Sequence, residues 1–395
     1  MTPPASPIAA VTHPDPYPYY REMVATRPLH RDEGLGLWVV AGAGAVTAVL
    51  TSPLVRVRPA AEPVPGALRG SPLAEIFGCL VRMTDGPGHG PMKQTITGAL
   101  AALDRDGIRA GASRWARTLA ERIDARRPAG VDEFARSLSA HAIATLLAVP
   151  DAAVGSVEQS VHRYVAAVAP GADAARIERG KAAATHLMET VGAAVAAVAG
   201  ARTGLPALLG REAERADAAD RAALVANAIG FMTQAYEATA GLIGNTLRAL
   251  RAQPALRASV AAEPARLEPV IREVLRHDAP VQNTRRFVAE DGVIAGQRMA
   301  AGETVLVVLA AANHDAAANP RPECFEAARA DRRTFTFGAG PHACPGETLA
   351  VSIARAGIAG LLAHGLDLDA LPAHPAYQPS GNARIPLFGG AAGRS

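Results

Sequence analysis

The sequence predicts a mainly α-helical fold with a smaller β-rich region, and three observations carry that expectation. Between residues 108 and 218, apolar residues recur at helical spacing in one segment after another, bounded by Pro150, Pro170 and Pro206. Arg221 to Ala249 continues as a single long helical stretch, about 43 Å at 1.5 Å per residue. After Pro280 the pattern shortens into apolar runs punctuated by glycine, which suits strands.

Composition narrows the class of protein. The chain has 395 residues and 40.6 kDa, long enough to bury a large core. A formal net charge of +3 with 19% charged residues is too weak a balance for a nucleic-acid partner. Cys79, Cys324 and Cys344 are an odd, widely spaced set, no disulfide framework, and fit a reducing compartment. The first residues lack a basic segment followed by an apolar one. No run of about 18 apolar residues is free of breakers. The expectation is a cytoplasmic monomer without a membrane anchor.

Taken in order, residues 1–18 carry six prolines and are expected to form a poorly ordered tail, with residues 19–395 as one domain. Tyr19 to Ala25 suits a short helix. Leu37-Trp38-Val39-Val40 is strand-like, within a small hairpin and helix start spanning Gly34 to Val49. Val55-Arg56-Val57-Arg58 suits a short strand before a loop. Arg69 to Asp85 has no period and is expected to be a loop. A helix beginning near Pro91 continues toward Leu103. Further helices are expected over Ser113–Arg126, Val131–Leu147, Ala153–Val168, Ala175–Val198 and Leu209–Ala218, then over the long stretch. His141, His162 and His186 share no metal-ligand spacing. From Ala262 to His277 the helix signal is secure only from Pro269, a proline that would kink an interior. Val293–Gly296 and Glu303–Ala310 are expected to pair as strands. Leu349–His364 is a helix, and Ala376–Phe388 a loop and hairpin whose Ala383–Ile385 could reach a pocket.

The chemistry centres on Phe337-Gly338-Ala339-Gly340-Pro341-His342-Ala343-Cys344-Pro345-Gly346. A Gly-rich turn here delivers one cysteine to a helix N-terminus, where unpaired N–H groups and the helix dipole favour a thiolate. Alone, such a cysteine is more often structural. The whole stretch, however, resembles the haem-ligand loop of the cytochrome P450 family, complete in its Phe-Gly-x-Gly-x-His-x-Cys-x-Gly pattern.

Three further stretches follow in the order that family shows. Asp85 to Lys93 resembles its propionate-binding segment, with His89 matching and Lys93 standing where arginine is usual; lysine offers a point charge without the bidentate fork. Gln234-Ala235-Tyr236-Glu237-Ala238-Thr239 resembles its oxygen-side motif, with Ala235 for glycine and Ala238 for the threonine that helps deliver protons. Thr239 lies one residue on, rotated by about 100°, and is no simple substitute. Glu237 is a candidate proton relay, with an internal salt bridge as the plain alternative; Gln234 is either a cavity-facing or a solvent-facing amide. Glu273 and Arg276 resemble the family's Glu-x-x-Arg pair, with Arg329 as third member of a buried triad. Arg286 matches a propionate arginine, Arg285 being its neighbouring rival, and Asn313-His314-Asp315 resembles an Asn-Arg-Asp element.

The resemblance implies the P450 fold, a triangular prism around haem b. It implies Cys344 as iron ligand, and His342, Arg286, His89 and Lys93 on the propionates. Phe337 and Gly338 would pack beneath the porphyrin, with Ala235 on the opposite side. It further implies O2 as co-substrate and electrons from NAD(P)H through a ferredoxin reductase and ferredoxin, since the chain shows no flavin or iron–sulfur region. The activity implied is oxidation of a small organic molecule, with hydroxylation of a specialised metabolite as the leading expectation. Oxidative C–C or C–O/N coupling of aromatic rings in a peptide or cyclodipeptide is the alternative that Ala238 keeps open, and a haem-based gas sensor is a remote third.

Overall fold

The computed structural model describes residues 2–197 and 218–390. The helix expected at 209–218 and its Pro206 boundary lie outside these residues, apart from Ala218, which opens the long helix. The described chain is mainly helical: α1 (Tyr17–Thr26), α2 (Ala43–Thr51), α3 (Pro72–Cys79), α4 (His89–Ala101), α5 (Arg105–Arg122), α6 (Pro128–Leu146), α7 (Asp151–Val168) and α8 (Ala174–Ala197) precede the long α9 (Ala218–Ala252). Then come α10 (Pro254–Ala262), α11 (Leu267–His277), a short α12 (Leu309–Asn313) and α13 (Glu347–Ala363).

At 35 residues α9 spans about 52 Å. It packs against α3, α6, α7, α8, α11 and α13, and Ile229, Met232, Ile243 and Leu247 on it are fully buried. An axle of that kind places one exposed stripe against whatever cavity the surrounding helices leave.

A five-stranded sheet lies to one side in the order β1 (Leu29–Asp32), β2 (Leu37–Val40), β7 (Thr304–Val307), β4 (Thr284–Val288), β3 (Val55–Arg56). Only the β2–β7 pair is parallel. The expected pairing of 293–296 with 303–310 is not formed. Instead β5 (Gly292–Ile294) folds back on β6 (Gln297–Met299) through a tight turn, with Ala295 and Gly296 in the left-handed region. The Val305–Val307 run, buried on both faces, enters the main sheet. A two-stranded ribbon, β8 (Ala376–Tyr377) with β9 (Pro386–Leu387), closes the described chain.

Other departures have local causes. Residues 69–85, expected as a loop, contain α3, whose Leu73, Ile76 and Phe77 bury one face behind a Pro72 start. The fifth helix begins at Arg105 rather than Ser113, because Asp104 caps it by accepting from Asp106 N at 3.1 Å and Gly107 N at 2.9 Å. Pro269 does not kink α11, since it falls in the first turn.

The expected loose tail is also corrected. Ala10 and Val11 are fully buried. Arg384, itself fully buried, donates to Val11 O at 3.0 Å, His13 O at 2.7 Å and Pro14 O at 3.1 Å, and to Asp278 Oδ1 at 2.8 Å. A proline-rich strap has few N–H donors of its own, and one guanidinium supplies them to its carbonyls. Among the described residues, Gly340–Ala363 is long and apolar enough to cross a membrane. Its Leu349, Ile353, Ile358 and Leu361 are buried, and α13 packs against α5 and α9 within the core.

Candidate functional site

The Cys344 loop is built from backbone conformations that only glycine adopts freely. Gly338 and Gly340 have φ of 69° and 68°, and a Cβ on Gly340 would fall 2.8 Å from Leu50 O. The turn is closed by Cys344 N–H donating to Phe337 O at 2.8 Å and Ala343 N–H to Gly340 O at 3.0 Å. Phe337 itself packs at the edge of the helical core.

Cys344 Sγ sits just before α13 and accepts from Gly346 N–H at 3.4 Å. The thiol is exposed, yet burial pushes its pKa up, against the pull of Gly346 N–H, Lys93 and Arg82. The thiol thus keeps accessible surface while the atoms around it desolvate its charged form.

Beside this thiol a cationic corner assembles. His89 opens α4, and its ring centroid stands 4.2 Å from that of His342. Each ring keeps one buried nitrogen without a partner, Nε2 of His89 and Nδ1 of His342. His342 Nε2 meets Asp85 Oδ1 at 3.0 Å. Burial, then His342 and Lys93, holds His89 below its usual pKa. Lys93 donates to Ala343 O, and burial lowers its pKa while Cys344 acts against that. On β4 Arg286 is buried, its Nη1 donating to Arg285 O at 2.8 Å, whereas Arg285 is exposed. Two imidazoles with orphaned nitrogens, an ammonium and a buried guanidinium are suited to two carboxylates, and a soft sulfur to iron. The residues present fit a haem with its two propionates.

The motif on α9 presents a smaller hydroxyl inventory than usual. Gln234, Ala235 and Ala238 keep accessible surface. Thr239 is 1% exposed and its Oγ1 lacks a partner, so it is turned into packing and cannot stand in for a hydroxyl at 238. Glu237 Oε1 accepts from Gln378 Nε2 at 2.8 Å. Burial raises the Glu237 carboxyl, the Gln378 hydrogen bond and Arg136 opposing it. Neighbouring Tyr236 faces away, toward Glu158 at 3.4 Å and His162 at 3.5 Å.

Below α11 the acidic node is more heavily paired than a triad. Glu273 and Arg276 are fully buried, with Arg276 Nη2 2.6 Å from Glu273 Oε1. The other oxygen, Oε2, is taken by Arg332 Nε at 2.8 Å. Arg329 Nε stands 3.5 Å from Oε1 without a hydrogen bond, and its Nη atoms donate to Pro320 O, Arg321 O and Cys324 O. The closer arginine of the network is thus Arg332, three residues beyond the one expected. Burial raises Glu273, but Arg276 and Arg332 outweigh it and hold the carboxyl below its usual range.

Sequence reading missed Arg332, Gln378 and the role of Asp85. Asp85 was visible as the acid opening the Asp-Gly-Pro-Gly segment; the other two carry no local pattern. Among the described residues no cluster of His, Cys, Asp or Glu could hold a separate metal ion.

Comparison with known proteins agrees with this geometry. A sequence model of the cytochrome P450 family matches residues 200–364. The vitamin D(3) 25-hydroxylase of Pseudonocardia autotrophica is 35% identical over 190 residues, 46% of this chain and 47% of that protein. The 20-oxo-5-O-mycaminosyltylactone 23-monooxygenase of Streptomyces fradiae is 26% identical across 88% of this chain and 81% of its own. The matched stretch thus spans about half of the first relative and most of the second. Among solved structures, CalO2 superposes with a TM-score of 0.77 at 28% identity, covering 98% of both chains.

Proposed function

The chain belongs to the cytochrome P450 family of monooxygenases, and from that premise we propose that it oxidises a small specialised metabolite by hydroxylation, using haem b. The observation that carries this reading is the accessible Cys344 thiol after its Gly-rich turn, flanked by the His89, His342, Lys93 and Arg286 corner. Relatives named as a vitamin D(3) 25-hydroxylase and a 20-oxo-5-O-mycaminosyltylactone 23-monooxygenase support the same reading. Electrons would come from NAD(P)H through a ferredoxin reductase and a ferredoxin.

In this reading Cys344 would hold the iron, and His89, His342, Lys93 and Arg286 would neutralise the propionates. Bound haem supplies the oxidising power, by activating O2 at the cost of two electrons. The protein's own part is orientation and proton control. Ala235 and Ala238 leave room on α9, Glu237 holds a proton more readily than an ordinary carboxyl, and Gln378 aims it. The Glu273 network keeps the Cys344 side rigid.

Oxidative coupling remains the second reading, favoured by one feature: the α9 face has no hydroxyl at 238, and Thr239 is buried away from it. NADH-dependent turnover of a metabolite library with surrogate ferredoxin partners tests both. Products heavier by one oxygen support hydroxylation; products lighter by two hydrogens support coupling. Haem-loaded protein that gives neither product across the library, with redox partners that reduce it, counts against an enzymatic role.

A further inference from the structure

A cavity of about 160 Å³ opens where α5, α11 and α13 meet, and the chemistry above makes no use of it. Arg105 and Arg109 line it from α5, and Arg272 and Arg355 from α11 and α13. Four guanidinium groups thus border one small space, against two lining carboxylates, Asp106 and Glu268.

The ion pairs leave the two sides unjoined. On α5 Arg109 Nη2 meets Asp106 Oδ1 at 2.8 Å, a solvent-exposed pair within one helix. Arg105 has no hydrogen bond or ion pair among the described residues. On the other side Arg272 is shared between Glu268 at 3.0 Å and Glu347 at 2.7 Å, and Arg355 stands 3.6 Å from Glu268. Although α13 packs along α5, no ion pair among the described residues crosses from α5 to α11 or α13. Like charges therefore border the cavity from both sides, a repulsion that an anion within it would relieve.

The neutral lining offers donors as well. Thr348 and Ser352, one turn apart on α13, are half-buried, and their hydroxyls form no hydrogen bond among the described residues. A helical hydroxyl is commonly spent on the carbonyl four residues back, as Thr246 Oγ1 donates to Leu242 O at 2.7 Å. These two are not. Arg105, Glu268 and Thr348 also lie in the first turns of their helices, which begin at Arg105, Leu267 and Glu347. Three positive helix ends accordingly border the same space.

We propose that this cavity binds a phosphate group, which would tie α5 to α11 and α13. Guanidinium forks from either side offer paired N–H donors, and Thr348 and Ser352 add hydroxyl donors. A phosphate suits the site better than a carboxylate, because its oxygens point in several directions and can answer both sides at once. The group is either a free inorganic anion or part of a nucleotide.

Isothermal titration of the haem-loaded full chain with inorganic phosphate, pyrophosphate and ADP, at fixed ionic strength, tests this. Pyrophosphate is expected to bind and to raise the thermal unfolding midpoint. ADP binding tighter than pyrophosphate marks a nucleotide as the carrier; equal or weaker binding marks the free anion. Arg105→Gln and Arg355→Gln, one from each side, each weaken binding at least about tenfold. Asp106→Asn tightens it, by freeing Arg109 and removing a competing carboxylate. Thr348→Ala and Ser352→Ala lose part of the affinity, and serve where an arginine variant does not fold. Arg126→Gln, at an exposed arginine outside the cavity, leaves binding as in wild type. No binding of any of the three anions overturns the site, as does weakening by Arg126→Gln as large as that by Arg105→Gln. An Asp106→Asn variant that binds no tighter overturns it too. The titration asks nothing of the haem iron, so its failure leaves the Cys344 reading standing.

Discussion

Gln378 Nε2 donates to Glu237 Oε1 at 2.8 Å, joining the C-terminal ribbon to the middle of α9 across 141 residues of sequence. Burial raises the Glu237 pKa and this hydrogen bond lowers it, so removing the donor leaves burial less opposed. Gln378→Leu is expected to move the alkaline limb of the activity profile to higher pH, because the carboxyl then stays protonated, and able to supply its proton, further up the scale. The ratio of product to NADH, measured across pH 5–9, reads the shift. An unchanged limb would show that Glu237 titration does not govern proton supply.

Ala238 leaves the cavity face of α9 without a hydroxyl. Ala238→Thr is expected to change the ratio of product formed to NADH consumed, with little effect on folding, since the position has accessible surface. Unaltered coupling and product distribution would make the position irrelevant.

Glu273→Ala leaves Arg276 fully buried without its carboxylate. Breaking such a pair costs about 3–5 kcal/mol, and haem retention is expected to fall more than substrate selectivity. The distances rank the outer arginines: Arg332→Ala at 2.8 Å should cost more stability than Arg329→Ala at 3.5 Å. Thermal unfolding of the two variants checks the order, and the reverse ranking would refute it.

Asp278 links α11 to Arg384, Arg248 and Tyr17. Burial raises its pKa, but Arg384 and Arg248 outweigh that and hold it down at about 2, against an ordinary 3.8. A depressed carboxyl contributes stability above its unfolded pKa and loses it as pH falls through the folded value. About 2 kcal/mol should therefore vanish between roughly pH 4 and pH 2. Asp278→Asn should be less stable at neutral pH and should lose the part of the acid dependence that falls in that window. Parallel acid titrations of unfolding stability would show this, and superimposable slopes would contradict it.

How far the sequence spoke depends on whether a contact is local. The arrangement of the Cys344 loop, the place of His89 and the Glu273/Arg276 pairing were legible because each is written locally, as glycine spacing or helical periodicity. The α9 axle was legible for the same reason. Arg332, by contrast, reaches Glu273 across 59 residues, and Asp331 and Arg333 beside it look no different in the sequence. Gln378 gains meaning only through α9, which it meets from the far end of the chain. The Pro-rich strap read as loose because proline says nothing of a distant guanidinium that binds its carbonyls. The strand pairing failed where Ala295 and Gly296 make a turn too short for periodicity to register.

Everything functional here depends on Cys344 Sγ ligating iron, and the reduced carbon monoxide difference spectrum of the haem-loaded protein tests that most directly. The predicted result is the red-shifted band of thiolate-ligated haem in the wild type, lost in Cys344→His while haem stays bound. A folded wild-type holoprotein showing the band of nitrogen-ligated haem, or a Cys344→His variant that keeps the thiolate band, would contradict it.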